Sequence, residues 1–138
     1  MKGYEFFDHT ADIGLRISGR DLQELFTHAA LAFLGLVTDP EKINGGESFT
    51  FKLRAENTGE LLLAWLRELL YFFSAKRVLF SSFEFKTLNE RELEVKAAGE
   101  IFSSGRHESR HEVKAITYHA FNLKKESSGW IAEVIVDI

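Results

Sequence analysis

The sequence predicts an α+β fold: a mainly antiparallel sheet with two helices packed on one of its faces. Several segments alternate apolar and polar residues as half-buried strands do, and two longer segments carry apolar residues at helical spacing. The chain has 138 residues, 45% of them apolar, and a net charge of only −4, which is typical of a globular protein. Since no linker, repeat or low-complexity tract is visible, we expect one domain over residues 1–138.

The N-terminal region predicts two strands followed by a helix. Residues 4–7 are short, aromatic and β-prone, and residues 12–18 alternate from a polar Asp12. We interpret residues 8–11 between them as a turn. Asp21 stands where a helix N-cap is expected, three residues before a glutamate, and apolar residues then follow at helical spacing. A helix is therefore predicted over residues 21–37.

The rest of the chain predicts a second helix among further strands. Asn57 repeats the capping signature, and a broad apolar face then continues to about Lys76. Four more segments alternate as strands do: 48–54, 83–97 (a hairpin turning at Asn89-Glu90), 112–123 and 130–137. The very polar stretch 103–110 is predicted to be a loop, and residues 124–129 a hairpin turn.

Composition excludes several classes of protein. The absence of cysteine removes disulfides, thiolate zinc sites and cysteine nucleophiles. A pI near 5.7 disfavours a binder of duplex nucleic acid, which normally carries a basic excess. The N-terminus shows no signal peptide, and the longest apolar stretch, 61–73, is too short to span a bilayer. We therefore expect a cytoplasmic protein without a membrane partner.

Two carboxylates meet at the end of the sequence. Asp137 is followed only by Ile138, so its side chain lies close to the α-carboxylate. Two like charges about 4 Å apart cost about 4 kcal/mol at an effective dielectric constant of 20, and exposure to water reduces that cost. A metal ion, Lys114, an arginine or plain solvent would compensate. Asp12, at the start of a strand, is the candidate third acid, and hard oxygen ligands favour calcium, magnesium or manganese over zinc. The alternative is a solvated strand end without function.

The register of the last hairpin decides what lies near these acids. A turn centred near Ser127 places Asp137 opposite Tyr118. Lys114 then lies a few residues past the terminus.

The histidines leave several interpretations open. His9 is either a ligand or base, or a residue that caps a turn through neighbouring backbone groups. His107 and His111 are four residues apart, which suits a metal only on a helix, and no acidic constellation adjoins them. The basic patch over residues 106–114 either contacts phosphate or an acidic partner, or is a solvated loop.

Three motifs, in this order along the chain, resemble those of the archease family. They are His9-Thr10-Ala11-Asp12-Ile13-Gly14, Lys114-Ala115-Ile116-Thr117-Tyr118-His119 and Val136-Asp137-Ile138. The resemblance extends over essentially the whole chain, including both predicted helices. It implies a compact domain of the strand-helix-strand-strand type.

The resemblance also implies an accessory role and not an enzyme. Archeases act with the RtcB-type RNA ligase of tRNA splicing, which uses a guanylylated histidine and manganese, and they promote guanylylation and repeated turnover of that ligase. By resemblance, the metal site falls on Asp12, Asp137 and Ile138, and activation of the partner on Lys114 and His9. The expected cofactor is a divalent metal ion: calcium in a structure, with magnesium or manganese as alternatives.

Other functions remain open. A chaperone-like modulator of a tRNA methyltransferase is an older proposal for the family, in which tRNA is involved indirectly. A metal-dependent hydrolase would use the carboxylates directly, and would need a concave pocket around them and a placed base. An RNA-binding module would use the basic loop and would bind with a steep salt dependence.

Overall fold

The computed structural model describes residues 3–9 and 12–138, apart from the side chain of His9. Within that part the chain forms two α-helices, a short 3-10 turn at Pro40–Lys42 and seven strands. The elements are β1 (Tyr4–His9), β2 (Asp12–Gly19), α1 (Leu22–Val37), β3 (Glu47–Arg54), α2 (Thr58–Lys76), β4 (Val78–Leu88), β5 (Glu92–Ile101), β6 (Ala115–Glu126) and β7 (Gly129–Asp137).

The strands form two antiparallel sheets that both pack on the helices. The first sheet has the order β1-β2-β7-β6 and the second β3-β5-β4. Helix α1 lies mainly against β2, and α2 contacts β6 and all three strands of the second sheet. Trp65 is fully buried between the layers, and its indole N–H donates to the Phe26 carbonyl at 2.9 Å. The predicted α+β class is therefore confirmed, with the strands divided between two sheets.

Both helices begin where predicted, because each N-cap side chain binds a backbone N–H only three residues farther along the chain. Asp21 accepts the backbone N–H of Glu24 at 2.8 Å, and Asn57 accepts that of Glu60 at 2.9 Å. Each bond satisfies an N–H that the first helical turn leaves without a partner. Neither helix of the described residues is long and apolar enough to cross a membrane.

Several strand boundaries differ from the prediction; the hairpin predicted over 83–97, for example, covers Val78–Leu88 and Glu92–Ile101. Asp8 and His9 extend β1 instead of forming a turn, and Thr10 and Ala11 lie outside the described residues. Strand β6 starts at Ala115, so residues 112–114 are not strand, and it continues to Glu126. Consequently the last turn is shorter than predicted, because polar residues here occupy the exposed face of an edge strand.

The polar stretch 103–110 lies in a loop, as predicted; the loop covers residues 102–114 and is anchored to helix α1. The Arg110 backbone N–H donates to the Val37 carbonyl at 3.0 Å, and its guanidinium donates to the Gly35 carbonyl at the same distance. A cation at the C-terminal end of a helix is also favoured by the helix dipole. The loop therefore completes the end of α1.

His107 is a buried anchor of this loop. Its Nδ1 accepts the Ser103 backbone N–H at 2.8 Å, its Nε2 lies 3.1 Å from a Glu100 oxygen, and its ring stacks on Phe102. His111, by contrast, is exposed. The interpretation of the patch as a solvated loop therefore does not hold at His107, because Glu100 and Ser103 satisfy both of its ring nitrogens.

Glu100 ties this loop to a neighbouring segment. It accepts the Asn44 backbone N–H and hydrogen bonds from the side chains of His107 and Arg106. These bonds, the Asn44 one first, lower the pKa of the Glu100 carboxyl from 4.5 to about 2. The charged form of Glu100 is therefore the one that the fold stabilises.

Replacing Glu100 by Gln should lower the free energy of unfolding at neutral pH and flatten its dependence on acid. Because the folded pKa is depressed, the stabilisation is present above about pH 4.5 and is lost as the pH falls toward about 2. Urea unfolding between pH 2 and 7 should show the two proteins converging at the acid end. Glu126→Gln, at an exposed strand end, is the control. A constant difference at every pH would contradict this linkage.

Candidate functional site

Asp12 and Asp137, here called the aspartate pair, lie directly opposite each other. Asp12 is the first residue of β2, Asp137 is the last of β7, and the two strands pair in that register. Side chains of directly opposed residues share a face, with Cβ atoms about 4.5–5.5 Å apart. Their neighbours Ile13 and Val136 pack into the core, so the pair lies on the face away from the helices. Both aspartates are partly buried.

The position of Lys114 corrects the predicted register of the last hairpin. Asp137 lies opposite Ala115, not Tyr118, because residues 118–121 of β6 form a bulge between the Thr117 and Asn122 pairings. The Lys114 backbone N–H donates to the Asp137 carbonyl at 2.8 Å. Lys114 is therefore beside the aspartate pair instead of past the terminus.

The Lys114 side chain remains exposed beside the pair. Within residues 3–9 and 12–138, no salt bridge joins it to a carboxylate. Ile138 is partly buried and packs against the core, which holds the end of the chain next to Asp137. His9 is the Cα partner of Asp12 on β1, and its side chain lies outside the description. The predicted site residues thus occupy neighbouring positions at one end of the first sheet.

The row of residues next to the aspartate pair contains a close contact between a glycine and a phenylalanine ring. Gly14 is paired with Phe7 on one side and with Ile135 on the other. A Cβ atom on Gly14 would lie 2.2 Å from the Phe7 ring, so the ring lies directly against the glycine. Ile135 is only 2% exposed although it faces away from the helices. Sequence reasoning missed this contact; a glycine inside a strand pattern was the signal for a close approach.

An ion-pair row follows on the same face. Arg16 is bonded to Glu5 on β1 and, at 2.7 Å, to Glu133 on β7. The hydrogen bond to Glu5 and then that to Glu133 raise the pKa of Arg16. Its guanidinium carbon also lies 4.9 Å from the centre of the Phe7 ring. Arg16 is therefore engaged by two glutamates and is not the counter-charge of the aspartate pair.

The two side chains of the aspartate pair offer oxygen donors on one face of the sheet. In the described part of the chain, no group of three or more His, Cys, Asp or Glu side chains is placed to hold a metal. Two side-chain carboxylates with the terminal carboxylate of Ile138 would make an all-oxygen set, which suits calcium, magnesium or manganese.

Two surface cavities lie away from these acids. One, near the start of α2, is lined by residues that include Thr58 and Phe121. The other, near the start of α1, is lined by residues that include Arg20 and Trp130. Neither is lined by the aspartate pair, whereas a hydrolase would need an enclosing pocket around the acids.

Comparison with known proteins assigns the class to which this fold belongs. Residues 4–138 match the model of the Archease protein family (MTH1598/TM1083). The chain belongs to the archease family.

Individual relatives agree over the full length. The protein archease of Methanosarcina mazei is 37% identical over 141 residues, covering 99% of this chain and 97% of that protein. The protein archease of Sulfurisphaera tokodaii is 39% identical over 140 residues and covers 100% of both. The family resemblance read from the three sequence motifs is thereby confirmed.

Solved structures agree with the fold. The solution structure of Methanobacterium thermoautotrophicum protein 1598 matches with a TM-score of 0.84 and 39% identity over 100% of both chains. A Thermotoga maritima crystal structure, described as an archease and possible chaperone, matches with a TM-score of 0.65. That protein is 21% identical, with 96% of this chain and 94% of that chain covered, so it supports the fold alone.

Replacing Gly14 by Ala should destabilise the protein by about 1–3 kcal/mol, because the new methyl group would overlap the Phe7 ring. Urea unfolding measures the loss. Gly46→Ala is the matched control, since a Cβ there meets no atom within 4 Å. In a Phe7→Ala background the cost of Gly14→Ala should shrink, and an equal cost in both backgrounds would refute the contact as its cause.

Proposed function

We propose that this chain is an accessory protein that activates an RtcB-type RNA ligase of tRNA splicing, promoting guanylylation and repeated turnover of that enzyme. Membership of the archease family supports this role through the resemblance that the sequence motifs carry. The observation that carries the proposal is the opposition of Asp12 and Asp137 beside the end of the chain. The chain itself would supply binding and positioning, and the ligase the catalysis.

The aspartate pair and the Ile138 carboxylate would hold one divalent cation. The fit rests on the cross-strand register, which turns two side-chain carboxylates to one face, and on Ile138 following Asp137 directly. A bound ion would supply a concentrated positive charge able to bind phosphate or carboxylate oxygens. Ile13 and Val136 pack into the core on the opposite face, which fixes the backbone on which both aspartates stand.

Lys114 and His9 would act on the partner from the rim of this site. The Lys114 backbone is fixed by its bond to Asp137, while its exposed ammonium is available to an anionic group such as a nucleotide phosphate. His9 lies next to Asp12 across the β1–β2 pairing. The net charge of −4 also suits a basic RNA-handling enzyme, because complementary charge accelerates encounter.

Replacing Asp12 or Asp137 by Asn should abolish stimulation of ligase guanylylation and weaken metal binding. Each change removes one negative oxygen donor from the proposed cation site while keeping the side-chain shape. Calorimetric titration with manganese and calcium measures binding, and formation of guanylylated ligase at a low enzyme ratio measures function. Asp8→Asn is the matched control, since Asp8 pairs with Ile13 and therefore belongs to the helix-side face.

If both Asn variants stimulated the ligase as strongly as the wild type does, the assignment of the site would be wrong. Adding a few residues after Ile138 tests the terminal carboxylate alone, because it moves that charge without altering a side chain. Retained metal affinity in the extended protein would remove Ile138 from the ligand set. Metal-independent protection of a tRNA methyltransferase from aggregation, equal in all variants, would favour the chaperone-like alternative.

Replacing Lys114 by Ala should lower stimulation of the ligase while metal affinity stays near that of the wild type. The reason is that the Lys114 ammonium forms no salt bridge with a carboxylate in the part of the chain described, so its loss leaves the acids in place. Paired metal titrations and guanylylation assays separate the two effects. Full stimulation by this variant would remove Lys114 from the activation step.

A further inference from the structure

Arg67 and Tyr118 form an exposed contact between helix α2 and strand β6. The Arg67 guanidinium carbon lies 4.7 Å from the centre of the Tyr118 ring, and one of its N–H groups donates to the Ile116 carbonyl at 3.2 Å. Tyr118 is nevertheless 57% exposed, and Tyr71, one helical turn beyond Arg67, is 50% exposed. We call Arg67, Tyr71 and Tyr118 the aromatic face.

A bulge in β6 presents Tyr118 to solvent. Residues 118–121 lie between the Thr117–Ile135 and Asn122–Glu133 pairs, where a regular ladder would have one residue. Ala120 has a φ of 55°, a left-handed conformation that is strained for a residue other than glycine. Bulges often redirect side chains beside functional sites, and strain of this kind clusters there. The strain thus coincides with the segment that exposes Tyr118.

The aromatic face lies close to the aspartate pair. Ala115 is opposite Asp137, and Tyr118 is three residues farther along β6, which is about 10 Å in a strand. Strand β6 is an edge of the first sheet. The sheet face that carries the aspartate pair and the helix-side face therefore meet along this strand. A partner that wraps the edge would contact both Asp137 and Tyr118.

We propose that the aromatic face is the anchor on which a protein partner docks. The inference rests on the proposed function, and the partner is the ligase, which would present a carboxylate to Arg67 and an apolar side chain to Tyr118. Tyrosine and arginine dominate interface hot spots. In the part of the chain that the structure describes, Arg67 is in no salt bridge, so its charge is available to a partner's carboxylate.

The occupant is a protein surface and not an RNA strand. Binding to a phosphate backbone depends on many cations acting together. The aromatic face contributes one arginine, and the whole chain has a net charge of −4. A protein interface needs only a few well-placed anchors, such as the exposed Tyr118 and the hydrogen-bonded Arg67 guanidinium beside its ring.

The experiment separates binding from activation. Equilibrium binding to immobilised ligase gives the Kd, and guanylylation measured against increasing accessory protein gives the maximal stimulation. Tyr118→Ala and Arg67→Ala should each raise the Kd about tenfold or more, with maximal stimulation recovered at saturation. Phe6→Ala is the matched control, because Phe6 is a 44% exposed aromatic on β1, the opposite edge of the same sheet. Tyr71→Ala is a second test if either variant is unstable.

The outcomes distinguish this inference from the proposed function. Wild-type Kd values in the Tyr118 and Arg67 variants would overturn the docking surface, even with Asp137→Asn inactive. A raised Kd together with a fully active Asp137→Asn variant would leave the docking surface standing and refute the metal role. If wild type does not bind the ligase, both fail. Salt-sensitive binding of a single-stranded oligonucleotide that Tyr118→Ala alone abolishes, with the ligase Kd unchanged, would assign the face to RNA.

Discussion

The pairing of β2 with β7 is the constraint on which the candidate site depends. On one face of this central pair, residues such as Leu15 and Val134 are completely buried against the helices. A slip of one residue would turn that apolar set to solvent, so the core itself specifies the register. The same register sets Asp12 against Asp137 on the other face. Burial of apolar surface thereby holds two like charges together that would otherwise separate.

The bulge in β6 links this central pair to the edge of the sheet. It shifts the register by three residues between the Glu126–Gly129 end and the Ala115–Asp137 end. The shift brings Lys114 to the Asp137 carbonyl, where a regular hairpin would have left it beyond the strand. It also exposes Tyr118 beside Arg67. One local irregularity therefore accounts for the positions of two features that regular pairing would not place there.

Whether a feature could be predicted from the sequence depends on how far apart along the chain its interacting residues lie. The helix starts depend on Asp21 and Asn57, each bonded three residues away, so local patterns revealed them. The β6 bulge contains no glycine, and the left-handed Ala120 therefore left no sign in the sequence. His107, in the loop, is buried by partners that include Glu100 on strand β5, which a polar loop sequence does not reveal. The facing of Asp12 and Asp137 depends on strands from opposite ends of the chain, so the strand pattern made Asp12 a candidate without placing it beside Asp137, and the family motifs indicated a shared site.

The charges around Asp137 support the proposed cation site at this strand end. Arg16, two rows away on the same face, is already engaged by Glu5 and Glu133. Lys114 is held by its backbone, and its ammonium forms no salt bridge with a carboxylate within the described ranges. Neither cation therefore offsets the Asp137 side chain and the terminal carboxylate. Like charges at this spacing favour a cation brought from solution or from a partner.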